Sequence, residues 1–187
     1  MTRAVFLDRD GTMIEEADYL RRVEDIRLFP WTVDAIRALN RAGLAVVVVT
    51  NQSGIARGML TEPQLHEIHA AIDRTLRDGG AAVAAYYYCP HHPERGRVTE
   101  LVGPCGCRKP APGLVERAAR ELGLDPARSF VVGDKWADVG LARAVGARGI
   151  LVRTGYGAAQ ERAPDAAVTA DVIVDNLAGA ASWILGH

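Results

Sequence analysis

Short runs of β-branched residues alternate with longer amphipathic segments along most of this chain, and that alternation constrains the fold more than any other feature. Strands that are apolar on both faces must be covered on both sides, which parallel strands joined by crossover helices achieve. The periodicity predicts strands over 3–7, 44–50, 82–88, 129–132, 149–152 and 172–174. Between them it predicts helices over 31–41, 113–122 and 136–145, a terminal helix, and one helix capped by Thr61 and ended by Gly79-Gly80. The expectation is an open, mostly parallel Rossmann-like α/β sheet with helices on both faces and right-handed crossovers.

At 187 residues, 49% of them apolar, the chain has enough material for one core, so we expect a single domain over 1–187. The one long irregular stretch, rich in Pro, Gly, Cys and His, suggests an inserted loop at about 89–109. The 22 basic and 23 acidic side chains nearly balance, which argues against a nucleic-acid partner or an anionic-membrane surface but leaves room for a locally basic pocket. Its apolar run over 44–49 falls far short of the ~20 residues needed to span a bilayer. Residues 1–8 lead straight into a core strand without an apolar leader, so a cytoplasmic protein is expected. Three cysteines cannot all pair with one another, and their spacing must reflect metal binding, catalysis or chance.

Ligands of open α/β sheets gather at the carboxyl ends of the strands, so the polar residues there carry the functional question. Asp8 and Asp10 leave the first strand as alternate residues, and Gly11 lets the backbone turn away behind them. Two close carboxylates repel and want a cation; Asp134, at another strand end, can add a third oxygen, giving a site suited to Mg²⁺ with waters and a substrate phosphate. Asp138, one helical turn on, can support it from behind. With charge neutralised, Asp8 can attack phosphorus and form an aspartyl phosphate while Asp10 works as acid and then base. Thr50 and the amides after it can hold the phosphoryl oxygens, with Lys109 balancing their charge. Each residue alone is ordinary as a cap or solvated surface; their joint placement at successive strand ends is what points to phosphoryl transfer.

Cys89-x-His91 and Cys105-x-Cys107 put pairs of soft donors on two short segments, which fits a closed Zn²⁺ tetrahedron of structural type. The alternatives are free thiols that happen to be near in sequence, or His92 replacing His91. Because Cys107 directly precedes Arg108-Lys109, a metal there would order a loop otherwise too polar to pack.

The segments Phe6-Leu7-Asp8-Arg9-Asp10-Gly11-Thr12, Thr50-Asn51, Arg108-Lys109-Pro110 and Gly133-Asp134-Lys135-Trp136-Ala137-Asp138 resemble the four ordered motifs of haloacid dehalogenase superfamily phosphatases across almost the whole chain. The resemblance implies Asp8 as nucleophile, Asp10 as general acid/base, Thr50 and Lys109 as phosphoryl stabilisers, and Mg²⁺ held by Asp8, the main-chain carbonyl of Asp10, and Asp134. The gaps where large cap domains enter in that superfamily are short here, so an open site is expected.

Within it, Tyr87-Tyr88-Cys89-Pro90-His91-His92-Pro93 and Thr50-Asn51-Gln52-Ser53-Gly54-Ile55-Ala56-Arg57-Gly58 resemble the heptose 1,7-bisphosphate 7-phosphatase branch of the histidinol-phosphatase-like subfamily. That likeness implies action on a small-molecule sugar bisphosphate, with contacts from Glu16, Ala17, Asp18, Tyr19, Thr50, Asn51, Gln52, Ser53, Arg108 and Lys135; a monomer is expected. The side chains of Glu16-Ala17-Asp18 depart from that branch's pattern. A bisphosphate offers a second phosphate that Arg108 can grip bidentately. Histidinol-phosphate phosphatase is the rival reading, and a non-catalytic zinc-stabilised interaction module a more distant one. Tyr86, Tyr87 and Tyr88 read as strand residues, Trp31 and Trp183 as packing, and His66 and His69 as helix surface.

Overall fold

A computed structural model describes residues 1–165 and 167–187. Among them the elements run β1 (Ala4–Leu7), α1 (Thr32–Arg41), β2 (Ala45–Asn51), α2 (Glu62–Asp78), β3 (Ala85–Cys89), α3 (Gly113–Leu122), β4 (Phe130–Gly133), α4 (Trp136–Ala144), β5 (Arg148–Val152), α5 (Gly157–Arg162), β6 (Val172–Val174) and α6 (Leu177–Leu185). All strand pairs are parallel, in the order β3-β2-β1-β4-β5-β6. Chain direction across the sheet reverses between β1 and β4, and the crevice outside their carboxyl ends is where such sheets bind ligands.

The period-2 alternation of the strands builds a core on each face of the sheet. Val5 and Leu7 of β1, with Val46 and Val48 of β2 and Phe130 and Val132 of β4, pack under Ile36 and Leu39 of α1, Ile68 and Ile72 of α2 and Leu177 and Ile184 of α6. The intervening Ala4, Phe6, Val47, Val49 and Val131 face Leu114, Val115 and Ala118 of α3 and Leu141 and Ala142 of α4. With both faces covered, β1 is buried from end to end and its last residue delivers Asp8 into the crevice.

Two expectations needed correction. The third strand starts at Ala85 and not at 82, because the Ala82 amide donates to the Asn40 side chain at the end of α1 (2.8 Å) and so leaves the ladder. The span after β5, expected as a loop, contains α5; its Ala-Ala-Gln-Glu-Arg run has good helix formers but no apolar period to announce them. That helix is held by the Trp136 indole, which donates to the Gln160 carbonyl at 2.9 Å.

Helix α2 begins as expected at Thr61. The Thr61 hydroxyl accepts from the Gln64 amide, while the Gln64 side chain accepts from the Thr61 amide at 2.9 Å, forming a reciprocal capping box. Replacing Thr61→Ala removes the hydroxyl and is expected to lower stability by about 1 kcal/mol, measured as a shift of the urea midpoint at unchanged slope.

Candidate active site and zinc cluster

A cavity of ≈ 320 Å³ opens at the carboxyl ends of β1 and β2. Asp8, Asp10, Thr50 and Lys109 all line it. Asp134 lies just beneath, fully buried, and Asp138 closes the floor. Carboxylate oxygens of Asp8, Asp134 and Asp138 come within 4.8 Å of one another.

Lys109 stands among these acids. Its Nζ lies 2.8 Å from Asp8 Oδ1 and 2.6 Å from Asp138 Oδ1, and it donates to the Val49 carbonyl at 2.9 Å. Burial alone would push this ammonium toward its neutral form, but the Asp138 and Asp8 carboxylates outweigh it and hold the pKa above the usual lysine range. Burial, reinforced by the Asp8 charge, pushes Asp134 up to about 7. Its Oδ2 accepts from the Tyr156 amide at 2.8 Å, whereas its buried Oδ1 has no hydrogen-bond partner among the described residues and meets only the Lys135 ammonium at 3.9 Å. A buried carboxylate oxygen free of hydrogen bonds beside two further carboxylates is a hard-donor set that fits Mg²⁺. The backbone makes room for it: a Cβ at Gly11, where φ is +77°, would run into the Asp134 carboxylate.

Asn51, Gln52 and Ser53 reach the wall from the end of β2. Asn51 also buckles two segments together, its Oδ1 accepting from the Lys109 amide at 3.0 Å and its Nδ2 donating to the Lys109 carbonyl at 3.3 Å. The Gln52 side-chain amide bridges Asp10 Oδ2 (2.8 Å) and Thr50 Oγ1 (2.9 Å). Arg108 lines the cavity with its guanidinium held by the His91 carbonyl at 3.2 Å.

Across the cavity, Lys135 sits 3.6 Å from Glu16 Oε2 and 4.6 Å from the centre of the Tyr156 ring. Burial, then the nearby Asp10 charge, raises the Glu16 pKa despite Lys135. Asp18 and Tyr19 also line the wall, both at positive φ (+39° and +74°). Tyr19 is held by Arg57, whose guanidinium lies over its ring and bonds its hydroxyl, and Asp18 by the Tyr156 hydroxyl at 3.2 Å. Ala17, expected as a contact, is exposed and off the cavity wall; the tight turn through Asp18 and Tyr19 carries it outward.

The four soft donors also converge. Cys107 Sγ lies 3.1 Å from Cys89 Sγ, 3.5 Å from Cys105 Sγ and 3.4 Å from His91 Nδ1, and Cys89 Sγ is 3.6 Å from Cys105 Sγ. A tetrahedron with Zn–S near ~2.3 Å has ligand–ligand edges of roughly 3.8 Å, so a small radial relaxation seats a zinc ion. His92 is not the ligand: its Nδ1 accepts from the Glu94 and Arg95 amides at 3.1 and 3.0 Å. Cys89 is fixed to the sheet by pairing with Asn51, and its carbonyl accepts from the Gln52 amide at 2.8 Å.

A model of HAD-hydrolase-like proteins matches residues 106–180. The D-glycero-beta-D-manno-heptose-1,7-bisphosphate 7-phosphatase of Yersinia pestis is 45% identical over 154 residues, 81% of each chain. That of Escherichia coli (strain K12) is 42% identical over 177 residues, covering 94% of this chain and 90% of the relative. The chain belongs to the D-glycero-D-manno-heptose-1,7-bisphosphate 7-phosphatase family. A crystal structure of the D,D-heptose 1,7-bisphosphate phosphatase of B. bronchiseptica complexed with magnesium and phosphate superposes with a TM-score of 0.87 at 33% identity, covering 99% of both chains. The family fold, without a large cap, is therefore the fold described above.

Two residues that line the site, Arg9 and Tyr156, and one that stands behind it, His69, were not expected from the sequence. Arg9 lines the cavity although it is only 1% exposed, and it clamps Asp10. His69, read as helix surface, is buried; the signal was present, since it continues the Leu65, Ile72, Leu76 stripe of α2 at helical spacing. Tyr156 lines the wall from the turn after β5, and no periodicity marks it. Stripping zinc with a strong chelator and then restoring Mg²⁺ alone is expected to leave activity low and to raise hydrogen exchange across residues 89–109. Full activity in zinc-free protein would contradict a structural role for the cluster.

Proposed function

We infer that this protein is a Mg²⁺-dependent phosphatase that removes the 7-phosphate of D-glycero-D-manno-heptose 1,7-bisphosphate in the synthesis of nucleotide-activated heptose. The observation that carries the reading is the set of Asp8, Asp134 and Asp138 carboxylates around one point, beside Lys109 and under a polar cavity, in a chain of this family.

Asp8, Asp134 and the main-chain carbonyl of Asp10 would hold the metal, which supplies positive charge to the transferring phosphoryl group when bound. Asp8 Oδ1 is engaged by Lys109, leaving the other oxygen to attack phosphorus. The phosphorus–oxygen bond to C7 breaks as Asp10 gives its proton to the leaving alkoxide, and an aspartyl phosphate forms on Asp8. A water then attacks that phosphorus, Asp10 takes the water's proton, and the bond to Asp8 breaks to release phosphate and restore the carboxylate. Lys109 and the Thr50 hydroxyl stabilise the charge on the phosphoryl oxygens. Arg108 supplies a fork of donors for the distal phosphate, and Lys135, Glu16 and Tyr19 border the sugar.

Among the described residues no helix is long and apolar enough to cross a membrane. Free thiols poised as metal ligands support residence in a reducing compartment, the cytoplasm.

Asp8→Asn is expected to abolish phosphate release with zinc content unchanged, and Asp10→Asn to cut turnover of the sugar substrate by about 10²–10⁴-fold. Steady-state kinetics on heptose bisphosphate and on histidinol phosphate test the substrate; equal or better efficiency on histidinol phosphate would overturn it.

A further inference from the structure

Among the described residues Arg9 is one of the largest fully buried side chains, and its guanidinium has one carboxylate partner there, Asp10. Nη2 donates to Asp10 Oδ1 and Oδ2, both at 2.9 Å, and Nε donates to Oδ2 at 3.2 Å. Behind it, Nη1 meets Nε2 of His69 at 3.2 Å. A guanidinium has only hydrogens to offer, so this contact holds only if His69 Nε2 carries a free lone pair. His69 is therefore the neutral tautomer protonated on Nδ1. Burial first, and the Arg9 charge second, depress the His69 pKa to about 3, in keeping with that state. The ring plane is fixed in turn by Tyr86, which stacks on it at 4.5 Å between centroids with 20° between planes.

We propose that His69 is a positioning residue for the reaction: it accepts from Arg9 and so fixes the guanidinium that aims the Asp10 carboxyl at the departing oxygen. The inference rests on the phosphatase reading above. Gln52 pins only Oδ2 of Asp10, so a loosened Arg9 leaves the carboxyl free to pivot about that one bond. Oδ1 accepts a single Arg9 donor and keeps a lone pair for the proton that Asp10 transfers.

Asp10 matters most when the leaving oxygen is a poor one. A sugar alkoxide needs its proton; p-nitrophenolate does not. Measured with Mg²⁺ and zinc present, His69→Phe, which keeps the ring but loses the acceptor, is expected to lower kcat/KM on heptose bisphosphate, which covers the steps through departure of the sugar oxygen, by roughly tenfold or more. Its kcat/KM on p-nitrophenyl phosphate is expected to stay within about twofold, whereas hydrolysis of the aspartyl phosphate, which also uses Asp10, slows alike for both substrates and is read only in kcat. His69→Gln, whose side-chain oxygen can accept from Arg9, is expected to recover most of the sugar turnover. An equal loss on both substrates, or no loss on either, would overturn the proposal. It would leave the phosphatase reading intact, since that reading is tested on wild-type protein by its efficiency on heptose bisphosphate against histidinol phosphate. Should His69→Phe not fold, nitrogen-15 spectra of the wild-type imidazole decide: the proposal requires a neutral ring with unprotonated Nε2 at pH 7, and a protonated Nε2 there overturns it.

Discussion

The buried ammonium of Lys109 is what allows the carboxylates of the crevice to coexist. Asp8, Asp134 and Asp138 come from different elements, and their oxygens meet within 4.8 Å where water is largely excluded. Like charges that close raise one another's pKa and oppose folding unless a cation sits among them. Lys109 bonds two of the three directly. Such buried ion clusters are poor contributors to stability, since apolar residues of the same volume would pack at least as well. Their place at the sheet's switch point is therefore an argument for chemistry, and the Asp134 oxygen that no described group hydrogen-bonds, with only the Lys135 ammonium 3.9 Å away, marks where a metal cation completes the charge balance.

How Lys109 reaches that position is a question about the loop before it. Residues 91–108 are mostly exposed or half-buried and could not order themselves by apolar burial. The Cys89, His91, Cys105 and Cys107 cluster substitutes for a core, joining the loop's two ends to the sheet edge. Cys107 stands two residues before Lys109, and Asn51 grips both backbone groups of Lys109 from the next strand. The zinc cluster and the Asn51 buckle thus fix the same short segment from two sides. A structural ion remote from the reacting atoms still sets where the buried ammonium and the Arg108 guanidinium lie.

Much of this was legible in the sequence, for identifiable reasons. Strand and helix periods are strong where both faces are buried, so β1, β2, α2 and α3 appear close to their expected bounds. Cys-x-His and Cys-x-Cys spacing encodes donor convergence directly, and the donors do converge. What escaped was set by tertiary contacts. Nothing local distinguishes α5 from a loop, since its partner is the Trp136 indole. Ala17 faces solvent because Asp18 and Tyr19 adopt positive φ, a backbone choice held by Arg57 and Tyr156 from distant segments. His69 has the polarity of a surface residue, yet it lies on the apolar stripe of α2, and the stripe is the better guide to its burial.

On the proposed reading, selectivity in a cap-free site has to come from groups whose counter-charge only the right substrate brings. Arg108 is tethered by a carbonyl and forms no ion pair among the described residues. A bisphosphate can satisfy that guanidinium while its other end sits at Asp8; a monophosphate with a cationic tail leaves it unpaired and sets like charges against each other. Glu16 and the Lys135–Tyr156 pair then line a polar middle that suits hydroxyls, and the Lys135 ammonium opposes a cationic ring there. Discrimination follows from leaving half-buried polar groups unsatisfied, which separates substrates more sharply than fit alone. The short loops can therefore do the work of a cap because each is pinned: one by zinc, the other by Arg57 and Tyr156.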